Sequence, residues 1–323
     1  MRIQPIDLGA GDLVAGLHDA YVAANSHDPG PLLSLPHFRR EVCTDRSFQR
    51  VELWAMVENG KVAGGYALAL HLLDNTHMAW LFPLVVRPEV RGRGLGTALF
   101  EHALDRVRAH GRRLLLTETP ATGVGARFAR ARGMTVSIVE ARRVLDLRKT
   151  DWDALERMIP AVEGYSLEPW IGPAHPRLLP DLATLAGGMN DAPRDAGLED
   201  ANFSLERLRD REENIPLGGH TCYTTIARRD SDGAPAGYTR IYLKTDRSDG
   251  WGGQADTTVL REHRGHRLGL LLKLSNLLWL REREPHLERI LTWNATSNAH
   301  MLAINESMGF ELLDEWNEWR LAL

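Results

Sequence analysis

The sequence predicts an α/β fold made twice over, as two tandem domains of similar plan at residues 1–149 and 150–323. Three observations carry that prediction. A basic, glycine-containing loop, Arg91-Gly92-Arg93-Gly94-Leu95-Gly96, lies between an apolar β-type run (LFPLVV) and a leucine-rich helical run opening at Thr97. A partial copy returns as Arg264-Gly265-His266-Arg267-Leu268-Gly269, between DTTVL and LLLKLSNLLWL. Each copy is followed by a strand-like run (LLLTET, then RILTW), a helical stretch and a Gly-hydrophobe pair, Gly133-Met134 or Gly309-Phe310. The loops stand 173 residues apart and the Gly-hydrophobe pairs 176, nearly the same offset, as duplication would give.

The elements follow in order. A short strand at 2–6 and a helix near 12–24 open the first half. The proline-rich DPGPLLSLP breaks the chain before a helical HFRREVC run. VELWAMVENG and KVAGGYALAL alternate as strands, and Glu58-Asn59-Gly60 between them is a hairpin signal. HMAWLFPLVV is the strand entering the first loop. The next helix sets Leu95, Leu99, Ala103 and Val107 on one face and stops near Gly111. LLLTET, ARFARAR and TVSIVEARRVLDL complete the order β-α-α-β-β-β-α-β-α-β. A new helix begins near 148–152, with Asp151 as cap. EGYSLEPWIGPAHPRLLPD reads as irregular, followed by MNDAPRDAGLEDANFS and a charged helix, LERLRDREEN. The strands HTCYTTIARR and GYTRIYLKT flank a turn tipped by Asp232-Gly233, and the first half's order then repeats.

A chain of 323 residues has room for two cores, and 43% hydrophobic with 25% charged residues is the composition of a globular protein. Net charge is −4, with the basic residues concentrated at 87–93 and 261–267, so a nucleic-acid partner is not expected. Cys43 and Cys222 lie in different halves without metal-like spacing; they read as reduced structural thiols, and no metal is expected. The N-terminus lacks the apolar core of a signal peptide, and no window approaches a membrane-spanning run. A cytoplasmic protein, monomeric or homodimeric and without a membrane partner, is expected. Trp251, Trp293, Trp316 and Trp319 read as core or interface aromatics.

The loops carry the chemistry. The first N–H groups of a helix have no intrahelical partner, the helix dipole adds positive charge there, and glycines let a phosphate approach the backbone. A ligand with a pyrophosphate is expected at both loops.

These residues resemble the acetyl-CoA signature of the GCN5-related N-acetyltransferases, Arg/Gln-x-x-Gly-x-Gly/Ala after a strand. Arg91, Gly92, Arg93, Gly94, Leu95 and Gly96 match it in full. In the second copy Arg267 stands where glycine is usual. If that position demands left-handed backbone, a side chain there is strained. If it lies in the first helical turn, Arg267 still offers its N–H and adds a charge, and this second case is the expectation. TWNATSNAHMLAINESMGF resembles the family's next segment, in which an asparagine contacts the cofactor arm; Asn298 matches, with Asn294 close by, and the first half lacks the asparagine. The whole chain resembles actinobacterial two-domain acetyltransferases related to mycothiol synthase, in which the C-terminal domain is catalytic.

The resemblance implies, for each half, a mixed, mostly antiparallel sheet flanked by helices. It implies that the arm of acetyl-CoA enters where two parallel strands splay at a bulge, against Leu84, Val85 and Val86 in the first half and Thr258, Val259 and Leu260 in the second. A tyrosine four residues before the Gly-hydrophobe pair serves many members as acid; here the position holds Ala129 and Asn305, and Asn305 can donate only a hydrogen bond. Asp256, on the second motif strand, is the leading candidate base, with Pro83 as its counterpart and the exposed Glu262 a weaker candidate. His263 and His266 are expected as donors beside the phosphates. The acceptor, a primary amine of a small molecule, is expected over the splayed strands near Tyr165, Trp170, Asn190 and Asp191, where an aspartate could hold a cationic amine. No Cys or Ser stands in a triad-like setting, so direct attack in a ternary complex is expected, in the second domain. Catalysis in the first domain, or CoA binding without catalysis, are the rivals. A tandem protein of this fold using aminoacyl-tRNA is disfavoured by the intact first loop.

Overall fold

A computed structural model describes residues 2–7 and 11–323. The first half runs β1 (Arg2–Pro5), α1 (Gly11–Ala24), α2 (Leu35–Val42), β2 (Gln49–Glu58), β3 (Lys61–His71), β4 (Met78–Val86), α3 (Leu95–Ala109), β5 (Leu114–Pro120), α4 (Gly123–Ala131) and β6 (Thr135–Asp146). This is the predicted order. Asn59 and Gly60 both take positive φ at the β2–β3 hairpin, as its tight turn requires.

The second half runs α5 (Trp152–Arg157), β7 (Tyr165–Ile171), α6 (Leu179–Gly187), α7 (Leu205–Leu217), β8 (His220–Arg229), β9 (Pro235–Lys244), β10 (Trp251–Val259), α8 (Leu268–Arg283), β11 (Arg289–Ala295), α9 (Ala299–Ser307) and β12 (Glu311–Ala322). Asp151 caps α5 by accepting the Ala154 N–H at 2.9 Å. The segment 163–181, expected to be irregular, contains β7 and the start of α6. Pro169 and Pro176 hide them from periodicity. β7 pairs only with β8, and Pro176 precedes α6 in a 3-10 turn; a proline lacking an N–H is tolerated in both settings.

The compact units interleave and do not divide at the expected 149/150 boundary. Unit one takes residues 1–138, 196–200 and 316–323; unit two takes 139–195 and 201–315. The last strand of each half crosses over. In unit one, β12 runs antiparallel to β5, from Trp316 opposite Pro120 to Ala322 opposite Leu114. In unit two, β6 runs antiparallel to β11, from Arg289 opposite Asp146 to Ala295 opposite Glu140. Each exchanged strand covers the edge of the other half's strand, β5 or β11, that the half's own last strand could also have covered. Equivalent strands have equivalent patterns, so the sequence shows no sign of the exchange.

Unit one orders its strands β1-β2-β3-β4-β5-β12, with only β4–β5 parallel. Unit two orders them β6-β11-β10-β9-β8-β7, with only β10–β11 parallel. In unit one α3 and α4 pack one face, through Leu99, Phe100, Ala103 and Ala126 on Leu68, Leu81 and Leu115. The other face holds α1 and α2, through Leu17, Ala20 and Phe38 on Leu53, Ala55, Ala67 and Val85. In unit two α8 packs Leu274, Leu277 and Leu280 on Ile241, Leu243 and Ile290, and α6 and α7 pack the opposite face through Leu182, Leu185 and Leu208. Both cysteines are buried and free, and Trp316 and Trp319 lie in the core. Among the described residues, no helix is long and apolar enough to cross a membrane.

Candidate active site

Each unit contains a fork between its two parallel strands. In unit one β4 and β5 pair at Met78–Leu114, Ala79–Leu115 and Trp80–Leu116 and then part. The β3–β4 register shifts between Tyr66 and Leu68, which puts Phe82 and Pro83 in a bulge opposite Ala67. A bulge bends its strand and re-aims it, and Pro83 has no N–H to hold the ladder there. Leu84, Val85 and Val86 therefore stay with β3 and leave β5. In unit two β10 and β11 pair from Trp251–Arg289 to Gln254–Thr292 and then part, at a register shift between Gln254 and Thr257 that faces Arg240. Thr258, Val259 and Leu260 are the corresponding strand end.

The loops beyond the forks have one backbone shape and different side chains. Gly92 (φ 74°) and Gly94 (φ 83°) are left-handed, and Gly94 stands at the N-cap of α3 without a side-chain cap. Gly265 (φ 86°) and Arg267 (φ 59°) repeat this, with Arg267 at the N-cap of α8. The expectation that Arg267 lies in the first helical turn is therefore not met: it is the left-handed N-cap of α8. It takes the left-handed conformation that glycine tolerates best, at a cost of about 1–2 kcal/mol for a residue with a Cβ. With neither helix capped by a side chain, the first N–H groups of α3 and α8 face the loop.

Arg91 and Arg264 act as straps. Arg91 Nε donates to Val86 O at 3.1 Å and Arg264 Nε to Val259 O at 3.0 Å, each tying a loop back to its strand end. Arg93 is engaged by Glu58, at 2.9 and 2.5 Å.

The acceptor-side candidates mostly have other partners. Arg264 Nη2 donates to Asp191 Oδ2 at 2.6 Å, and Arg261 chelates the same carboxylate, hydrogen bonds that hold its pKa at about 2. Asp191 is therefore part of the loop and does not stand open to an amine. Asn190 binds both backbone groups of Ala201, at 2.9 and 3.1 Å, and staples the connection to α7. Tyr165 Oη lies 3.0 Å from His263 Nδ1, and its ring packs near His266. Trp170 packs on the α6 cluster with its Nε1 buried and unbonded. Glu262 is exposed.

Asp256 and the asparagines are better placed. Asp256 lies in the unit-two bulge with its side chain 23% exposed. Its Oδ2 accepts from Arg211 at 3.1 Å and from Tyr238 at 2.9 Å. Burial pushes this carboxyl up, but the charges of Arg211 and Arg240 and those two hydrogen bonds outweigh it and keep the pKa below the ordinary range. Asn305, fully buried, donates to Asn294 Oδ1 at 2.6 Å, while its own Oδ1 has no partner. Asn298 caps α9.

Sequence reasoning missed the groups around Asp256: Arg211 and Glu212 on α7, and Tyr238, Arg240 and Tyr242 on β9. The i, i+2, i+4 polar alternation on β9 was the available signal. It also missed Lys273 of α8, only 1% exposed, whose pKa burial lowers to about 7. Among the described residues, no group of three or more His, Cys, Asp or Glu could hold a metal ion.

A forked, mostly antiparallel sheet with a left-handed loop and an uncapped helix at the fork defines a class of acyl-transfer fold. The profile of the acetyltransferase (GNAT) family matches residues 18–134. The tandem GNAT protein from the clavulanic acid biosynthesis pathway is 30% identical, over 99% of this chain and 98% of that one, with a TM-score of 0.83. The GCN5-related N-acetyltransferase from Sphaerobacter thermophilus shares the fold at 15% identity, over 99% and 95% of the two chains, with a TM-score of 0.69. No curated protein sequence matches the chain. The chain belongs to the GCN5-related N-acetyltransferase family and resembles its tandem members.

Proposed function

We propose that the chain moves an acetyl group from acetyl-CoA to the primary amine of a small molecule, at the fork of unit two and in the cytoplasm. The observation that carries this reading is Asp256 in the unit-two bulge, where unit one has Pro83. The origin of the relative in the clavulanic acid pathway supports a small-molecule acceptor.

Acetyl-CoA, when bound, supplies the activated thioester. The residues present fit it. The outward N–H groups at Leu95, Gly96 and Thr97, and at Leu268 and Gly269, suit a pyrophosphate. The edges of Leu84–Val86 and Thr258–Leu260, freed from β5 and β11, suit the amides of an extended arm. Asn305 Oδ1 is a buried acceptor without a donor, beside Asn294. Asp256, held as a carboxylate, attracts an ammonium ion and orients the amine lone pair once solvent has taken one proton; the C–N bond formed would replace the thioester C–S bond, and the thiolate released would take up the proton shed by the attacking nitrogen through solvent, Asn305 offering only a hydrogen bond. A backbone N–H freed at the bulge would supply a hydrogen-bond donor for the thioester oxygen as charge grows on it. Cys222 is buried, its thiol pushed up by burial, and is no nucleophile, which favours direct attack. Unit one, lacking the carboxylate, holds CoA as a structural or regulatory ligand.

Calorimetric titration with acetyl-CoA tests this, repeated on Arg91→Glu/Gly94→Glu and Arg264→Glu/Gly269→Glu. Two sites are expected, each lost with its own loop, and amine-dependent CoA release lost only with the second pair. Release lost only with the first pair would move catalysis to unit one. No binding at all would remove acetyl-CoA as donor.

A further inference from the structure

We infer that the acceptor at the unit-two fork carries a carboxylate beside its amine; this rests on the reading that acetyl transfer takes place there. Strand alternation puts Tyr238, Arg240 and Tyr242 on one face of β9, and Tyr238 packs there with α6 and hydrogen-bonds Asp256. Arg240 stands opposite the bulge itself and is 2% exposed.

Its guanidinium is incompletely matched. Nη1 donates to Tyr242 Oη at 3.2 Å. Nη2 forms a buried ion pair with Glu212 Oε1 at 2.7 Å without hydrogen-bond geometry, and Nε makes no hydrogen bond. The other oxygen of Glu212 is taken by the Ala174 N–H at 2.8 Å. Buried donors left unpaired are costly, and a charged one more so. Beside it Arg211, its side chain 30% exposed, gives Nη2 to Asp256 and rests over Phe203.

Two guanidinium groups therefore flank the carboxylate proposed to meet the amine, one partly at the surface and one behind it. Their planar forks match a carboxylate. An acceptor bearing both an ammonium and a carboxylate satisfies both signs at once, whereas a neutral-tailed amine would leave Arg240 Nε without an acceptor. The fold does not require these charges. In unit one the residue opposite the bulge is Ala67, packed among Leu53, Ala55 and Val85.

The test is CoA release by the full-length protein on the protein amino acids, β-alanine and 4-aminobutyrate, each beside its own carboxamide. The carboxamide has the less basic amine, so a preference for the acid cannot arise from easier deprotonation. The accepted acids are expected to exceed their carboxamides by roughly 10- to 100-fold in kcat/KM. The ratio should approach one in Arg211→Gln and in Arg240→Gln. Calorimetry on CoA-loaded protein should show the best acid binding more tightly than its carboxamide, independently of turnover. If Arg240→Gln does not fold, the wild-type ratio and Arg211→Gln decide. Carboxamides accepted as well as acids would overturn the inference and leave acetyl transfer standing. No release with either set, despite bound acetyl-CoA, would overturn both.

Discussion

The two forks have nearly the same backbone and opposite linings. Each has a bulge, a parted pair of parallel strands, an arginine strap and a left-handed residue at the helix cap. At the bulge, unit one has Pro83 across from Ala67, and unit two has Asp256 across from Arg240. Behind these, unit one packs α1 on an apolar face, while unit two buries Glu212 and Arg240 under α7. The fork therefore needs neither charge nor acid. Backbone geometry is what the duplicated units share, and the proposed chemistry rests on side chains that only one of them carries.

The largest expected effect is on turnover. Asp256→Asn should lower kcat/KM by roughly 10²–10⁴-fold, through loss of the carboxylate that draws in and orients the amine. The pKa of Asp256 lies below the ordinary carboxylate range, so it is ionised near neutrality. The pH profile of kcat/KM should then show no carboxylate inflection between pH 5 and 8 and should rise with the acceptor amine. Retained activity in Asp256→Asn would erase the chemical contrast between the forks.

A second contrast lies one helix away. Phe100 of α3 meets Phe128 edge-on in the unit-one core, and 173 residues later α8 has Lys273, its ammonium over the Phe310 ring with no hydrogen bond or ion pair among the described residues. Burial lowers its pKa to about 7, against an ordinary value near 10.5. The unfolded chain thus binds the extra proton between those values, and the destabilisation is full below pH 7 and fades as pH rises towards 10. Lys273→Met should stabilise the protein by roughly 2–4 kcal/mol at neutral pH, less in alkali, read from urea midpoints across pH. A loss of stability instead would mean that the ammonium has a partner in the fold.

How much of this the sequence discloses depends on whether a pattern is local. Strand-loop-helix order, the hairpin at Asn59-Gly60 and the Asp151 cap are written within a few residues, and each is found as predicted. The strand exchange is invisible because β6 and β12 satisfy either neighbour. Asp191 reads as an open carboxylate until the fold brings Arg261 and Arg264 onto it, and nothing in the sequence singles out Arg240, which the fold buries opposite the bulge. Position 267 needs a dihedral angle, which a motif match does not supply when the residue is not glycine.

On unit one, Glu52 of β2 offers a smaller test. Burial pushes its carboxyl up, but hydrogen bonds from Arg106 (2.7 and 2.8 Å), His110 (2.6 Å) and Trp54 outweigh this and hold the pKa at about 2. Its stabilisation is present above the unfolded pKa near 4.5 and is lost as pH falls towards 2. Glu52→Gln should cost about 2–3 kcal/mol at pH 7, the difference from wild type closing in acid. The counterpart in unit two, Thr225, binds only the neutral Asn276 at 2.8 Å, so Thr225→Val should show no such pH dependence.

The smallest expected effect isolates the left-handed N-cap, where the two loops differ in side chain but not in conformation. Gly94 and Arg267 both cap their helices in the left-handed region, at φ 83° and 59°. Gly94→Ala must accept that strain and should lose about 1 kcal/mol. Arg267→Gly removes it, but glycine also gains freedom in the unfolded chain, so the net gain should be under about 1 kcal/mol. Chemical denaturation of the two variants reads both, and opposite signs are the expected result. Two losses would mean that Arg267 holds its conformation through contacts worth more than the strain. The substitution of glycine by arginine in the second loop would then stabilise unit two, where the backbone argument makes it a cost that the second loop carries and the first avoids.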